Sequence, residues 1–218
     1  MCCVEIRDLG PLRVETDGIA MPLNGRRLES VLAVLAANVD QVVTVDLLVD
    51  AVWGSSAPER ASQSLESLIW RLRKVLEPGR AARETATVLR TEEAGYRLAV
   101  PRANVDSHRL LQACQLAAEL LAADEVGQAL ETAEVALSLW RGEPYLGIPD
   151  AEWMAPVRTR LEEAQLDLRQ HRVQALLATA QPERALDDLT GLVRWHRVVL
   201  VRGWNEPLSP RSHGRVRD

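Results

Sequence analysis

The sequence predicts an α+β N-terminal winged helix-turn-helix followed by an all-α tetratricopeptide-like helical domain, and three observations carry the prediction. Short strand-like runs and three amphipathic helices fill the first hundred residues and close on a hairpin. The third helix, 59–76, sorts its apolar and polar residues onto opposite sides. After Pro101 the strand pattern stops, and long Ala/Leu/Glu/Arg segments replace it.

The chain opens with three short strands, Val4 to Leu9, Leu12 to Thr16 and Ile19 to Leu23, with a turn at Asp17-Gly18. Leu28, Val31, Leu32 and Leu35 recur at helical steps and mark a first helix to about Asn38. Thr44 has the side chain of an N-cap, and Asp46 favours the positive end of the helix dipole. Leu47, Leu48, Ala51 and Val52 supply the stripe of this second helix, which Gly54 ends. A short loop, 55–58, leads through Pro58 into the third helix, and Pro78-Gly79 closes it. Val88 to Thr91 and Tyr96 to Val100 flank Glu92-Glu93-Ala94-Gly95 as a hairpin.

In the second half Asp106 caps an expected helix to about Ala123, Asp124 one to Trp140, and Asp150 one to Ala180 with Pro156 in its first turns. Gln181-Pro182 opens a fourth. Ala129, Ala133, Ala136 and Ala185 place small residues where antiparallel helices approach. The domains so drawn are 1–103, 104–193 and a divergent basic tail, 194–218, whose six arginines and several breakers suit disorder.

With 218 residues, 47% of them hydrophobic, the chain can bury a sizeable core. No apolar run approaches the roughly 20 residues that cross a bilayer. The start, MCCVEIRD, lacks the order of an export signal, so a cytoplasmic, nucleoid-associated protein without a membrane partner is expected. Cys2, Cys3 and Cys114 form neither a disulfide framework nor a zinc spacing, and His108, His171, His196 and His213 are scattered as structural or surface residues. No phosphate loop, nucleophile elbow or zinc-protease motif is present; the expectation is no enzyme, no cofactor and no metal. A net charge of −5 argues against a protein that coats nucleic acid, yet residues 60–90 hold seven bases against three acids, a local +4.

That local excess sits on and around the third helix. Ala61, Leu65, Leu68, Ile69, Leu72 and Leu76 fall in one stripe, and Gln63, Ser67, Trp70, Arg71 and Lys74 in the opposite one. Amide, hydroxyl, indole, guanidinium and ammonium are the groups that meet base edges and phosphates. A capped helix and a short turn before it, and a hairpin after it, are the context in which such a face enters a major groove. Trp70 has three readings there: packing on a deoxyribose or thymine methyl, touching a second protein, or a plain surface tryptophan. Trp53 and Trp140 end apolar stripes and are expected in the core.

The segments "LGPLRVETDG", "VVTVDLLVDAVWG", "SLESLIWRLRKVL", "GYRL", "NVDSHRLL" and "ALSLWRGEPYLGIPDAEW", in that order over residues 4–193, resemble the actinomycete antibiotic-pathway regulators of the SARP type. The resemblance implies an OmpR-type winged helix joined to a bacterial transcriptional activation domain. It also implies a transcriptional activator of secondary-metabolite genes that binds direct repeats in double-stranded DNA and recruits RNA polymerase, with a homodimer as a further partner. Carried over by position, the DNA-binding residues are Gln63, Ser64, Ser67, Arg71, Arg73 and Lys74, with Trp70 beside them, and the wing Thr91 to Arg97, Thr91 and Arg97 at its ends. Trp70, Leu68 and the acidic pair Glu92-Glu93 depart from the family's pattern. After Val193 the arginine-rich tail stands where further repeat helices are implied, as in a shortened activation domain. An operator-binding competitor, or a helical scaffold with a degenerate winged helix, is the alternative function.

Overall fold

The computed structural model describes residues 3–81, 84–186, 188 and 189, so Cys2 and the tail 194–218 with its two histidines lie outside the described residues. Strands β1 (Val4–Arg7), β2 (Arg13–Thr16) and β3 (Ile19–Met21) form an antiparallel meander in the register Val4↔Thr16 and Thr16↔Ile19. Asp17 and Gly18 both take positive φ, the backbone that a two-residue hairpin needs. The predicted first strand stops short, at Arg7, because the next carbonyls turn elsewhere: those of Asp8, Leu9 and Gly10 accept from the backbone N–H groups of Tyr145, Arg141 and Leu146.

Helix α1 (Arg26–Ala37) buries its predicted stripe and also Ala33, Val34 and Ala36. It is covered on two sides, since Ala33 belongs to the apolar cluster of the second half. Strand β4 (Val42–Thr44) was not expected; it exists by pairing with a strand fifty residues further on. Thr44 caps α2 (Val45–Trp53) as predicted, its Oγ1 accepting from Leu47 N at 3.3 Å, and Gly54 ends the helix at φ 53°. A 3-10 turn, Gly54–Ser56, leads to α3 (Ala61–Leu76), and all six predicted core residues of α3 are buried. Strands β5 (Leu89–Glu92) and β6 (Gly95–Leu98) form the expected hairpin, with Glu92 and Gly95 inside the strands and only Glu93-Ala94 in the turn, and β6 lies between β5 and β4.

Helices α4 (Asp106–Ala122), α5 (Val126–Ser138) and α6 (Met154–Ala178) pack on one another, with Ala129, Ala133 and Ala136 buried where α5 meets its neighbours. Helical turns resume at 182–186. The three predicted aspartate caps are corrected. Val105 precedes α4 without a side-chain cap, and Asp106 is its first, buried residue. Asp124 ends α4 rather than starting α5: at φ 62° it lets its own N–H reach Leu121 O and that of Glu125 reach Leu120 O. Ala180 closes α6 by the same pair of bonds. Asp150 sits in the preceding loop, paired with Arg158 Nη1 at 2.8 Å, so α6 begins four residues later and Pro156 falls in its first turn. Trp53 and Trp140 are likewise half-buried rather than core, each lying against the edge of an apolar cluster, with the Arg27 guanidinium 5.6 Å from the Trp53 ring.

The two halves share a buried polar junction. The Asp8 carboxylate, fully inaccessible, accepts from Ser107 N at 2.8 Å, Ser107 Oγ at 2.6 Å and Tyr145 Oη at 3.1 Å. Ile6 bridges Val105, Pro11 bridges Leu146, Asn104 Nδ2 donates to Val4 O, and His108 Nε2 meets Ala36 O. Burial, then the charge of Asp8, push the Asp106 carboxyl up to about 6, against the opposing pull of Arg109, Arg141 and Arg7. A carboxyl raised in the folded state stabilises the fold below its unfolded value, and that contribution is lost as pH rises through about 6. Asp106→Asn is therefore expected to gain on the order of 2 kcal/mol over the native chain at pH 7.5, and almost nothing at pH 4. Denaturant melts of both proteins at the two pH values check it; an equal difference at both would sink it.

Candidate nucleic-acid interface

Helix α3 is held from behind by α1 and α2, so its other side faces solvent along its length. Gln63, Ser67, Trp70, Arg71 and Lys74 are exposed there, as the sequence implied, and Ser64 is half-buried on the flank. Trp70 is 56% exposed, and the Lys74 ammonium lies 3.8 Å from the centre of its ring. The indole is a platform with a cation already on it. Arg71 Nη2 donates to the Asn24 carbonyl at 2.6 Å, a single bond at the surface. Ser67 Oγ donates to Gln63 O at 3.2 Å. One acid, Glu66, is exposed at the edge of this face on the side of Arg73. Gln63, Glu66, Ser67, Trp70 and Arg71 line one concavity of about 410 Å³.

Arg73 points the other way. Its Nε donates to Leu89 O at 2.9 Å and its Nη2 to Thr91 Oγ1 at 2.7 Å, so the predicted sites Arg73 and Thr91 brace α3 against the wing. Arg97 Nε donates to Glu92 Oε1 at 2.8 Å, which uses one of the two wing acids to hold a strand pair and leaves Glu93 at the tip. Glu77 was missed from sequence: its Oε1 accepts from Thr87 N at 2.7 Å, Thr87 Oγ1 at 2.8 Å and Val88 N at 3.1 Å, fastening the end of α3 to the start of the wing. Between them lies a second concavity of about 770 Å³, lined by Arg73, Arg80, Arg90 and Arg97 among others. Arg80 and Arg90 were legible only as part of the basic excess over residues 60–90. Glu84 and Glu92 line the same hollow, and Arg97 is paired with Glu92 and Arg80 with Glu77, so the positive charge it offers an anion is chiefly that of Arg73 and Arg90.

The wing's position depends on Gly95. A Cβ added there would lie 2.0 Å from the Val43 carbonyl oxygen and 2.9 Å from Thr44 Cα, both backbone atoms of β4. Neither can step aside without breaking the β4–β6 pairing. Gly95→Ala is expected to cost about 3 kcal/mol of unfolding free energy. Chemical denaturation measures it, and a variant as stable as the native chain would show that β4 is not a fixed part of the wing.

Two family profiles match the chain in the order of these elements. Residues 24–98 match "Transcriptional regulatory protein, C terminal", and residues 105–198 match "Bacterial transcriptional activator domain". The chain belongs to the SARP-type regulators. It is 28% identical over 191 residues to the transcriptional regulator RedD of Streptomyces coelicolor, covering 88% of this chain and 54% of RedD. It is 30% identical over 188 residues to the transcriptional regulatory protein EmbR of Mycobacterium tuberculosis, covering 86% of this chain and 48% of EmbR. The structure of Mycobacterium tuberculosis EmbR in complex with a low-affinity phosphopeptide superposes with a TM-score of 0.83 at 28% identity, over 90% of this chain and 52% of that one. The chain thus spans about half the length of these relatives. Their names are those of transcriptional regulators, and among its own described residues no helix is long and apolar enough to cross a membrane.

Proposed function

We propose that this regulator binds double-stranded promoter DNA sequence-specifically, with α3 in the major groove and the wing over the adjacent backbone, and activates transcription by bringing RNA polymerase to the site. In this proposal residues 1–103 read the DNA, and 104–193 form the helical activation and self-association module. The observation that carries it is the outward face of α3: an amide, a hydroxyl, an indole and two cations on one exposed stripe, flanked by the arginine-lined hollow. In this reading Gln63, Ser67, Trp70 and Arg71 meet base edges, and Ser64 and Lys74 a phosphate. Arg73, Thr91 and Arg97 act mainly by holding the wing at its distance from α3. Direct repeats upstream of secondary-metabolite genes are the proposed targets, bound by protomers side by side, from a cytoplasmic, nucleoid-associated location.

Footprinting on the promoters flanking its own gene, followed by titration in rising salt, tests this. Two protected sites in direct repeat, about one helical turn apart, are expected. Log affinity is expected to fall with log salt at a slope of about −0.9 per neutralised phosphate. Absence of protection at low salt, or a flat salt profile, would remove DNA as the ligand.

A further inference from the structure

Glu66 is the only acid in α3, and it is exposed at the wing-side edge of the polar stripe, seven residues from Arg73 and so on nearly the same bearing. Gln63, Glu66 and Trp70 follow one another at helical steps of three and four. Seven residues of helix advance about 10 Å, close to three base-pair steps of duplex. Among the described residues no hydrogen bond or ion pair occupies the Glu66 carboxylate. The cations of α3 are engaged elsewhere, Arg73 on Leu89 O and Thr91 Oγ1, Arg71 on the Asn24 carbonyl and Lys74 over the Trp70 ring. An unpaired carboxylate on a face turned toward phosphates raises the energy of every complex in which it finds no donor. It is tolerable only where a donor waits for it.

We propose that Glu66 determines sequence specificity by accepting the exocyclic amine of a cytosine in the major groove; the proposal rests on the DNA-binding function above. The chemistry of the base edges selects the partner. Guanine presents two acceptors and thymine an acceptor and a methyl, so both leave the carboxylate unsatisfied. Adenine offers an amine, but its N7 acceptor lies beside it and opposes the second carboxylate oxygen. Cytosine offers the amine without that opposing atom. Glu66 thus acts twice: it favours one base pair, and it weakens binding to sequences that lack it.

The test is selection from a random duplex library with the full chain, comparing the native protein with Glu66→Ala and Glu66→Gln. The native protein is expected to enrich a motif with one invariant C·G pair, preferred about tenfold or more. Glu66→Ala loses the preference at that pair alone and binds unselected duplex several-fold more tightly, and Glu66→Gln moves the pair toward A·T, the base edge an amide matches. Identical motifs from all three proteins would overturn the role of Glu66 while leaving DNA binding intact. Failure of the native protein to enrich any sequence would overturn both, so the two failures are told apart in one experiment.

Discussion

Replacing Arg71 and Lys74 together with alanine is expected to weaken operator binding about a hundredfold while lowering the melting temperature by only a few degrees. Both side chains are exposed, and what they hold in the free protein is small. Arg71 donates one surface hydrogen bond to Asn24, and Lys74 rests on an exposed indole. Contacts of that kind contribute on the order of 1 kcal/mol each or less. Against DNA the same cations meet a dense line of phosphates, or a guanine edge for which a bidentate arginine is worth about 1 to 3 kcal/mol. The asymmetry is the signature of an interface rather than a structural cluster. Gel-shift titration beside a thermal melt measures both sides of it. Unchanged affinity would count against the docking of α3, and a large loss of stability would show that the pair belongs to the fold.

Asp8→Ala is the opposite case, with its whole effect on the fold. Removing the carboxylate leaves the Ser107 N–H, the Ser107 hydroxyl and the Tyr145 hydroxyl buried without the acceptor they share. Each stranded donor costs about 1 to 3 kcal/mol, and the side chain's own desolvation, relieved by its removal, offsets part of that. A net loss of about 4 kcal/mol is expected, roughly 8 to 16 °C in melting temperature for a chain of this size. Asp8→Asn keeps one carbonyl oxygen and loses less. Because the donors belong to the second half and Asp8 to the first, Asp8→Ala should also split unfolding into two steps. Calorimetry of the three proteins decides it, and a single transition at the native temperature in Asp8→Ala would show that the carboxylate does not join the halves.

Local chemistry was legible where local forces decide the outcome. The α3 stripe, the Thr44 cap, the glycine after α2 and the Asp17-Gly18 turn each follow from periodicity or from one residue's backbone freedom. Strand β4 was not legible, because three residues carry no pattern and their partner is β6, fifty positions away. Aspartate misled the helix starts for a related reason. It suits a cap, a left-handed turn and an ion pair alike, and Asp106, Asp124 and Asp150 took a buried position, the turn and the pair. Glu66 and Arg73, seven residues apart, share nearly one bearing at the edge of the stripe, and only the wing decides that the arginine is engaged and the acid left exposed.

Arg71 and Arg73 show where the boundary falls. Two residues apart on a helix, they stand about 200° from each other, and that separation is written in the chain. Which of them meets solvent and which is spent on the wing depends on where β5 lies, and β5 is placed by Glu77, Gly95 and β4. The same holds for Asp8, a single acid at the end of a strand until the loop 141–148 folds against it. Periodicity and turn chemistry act over a few residues, so the order of elements and the buried stripes are set locally. Partners of polar side chains are chosen among groups that only the assembled fold brings within reach, and that choice separates the residues open to a ligand from those the fold has already used.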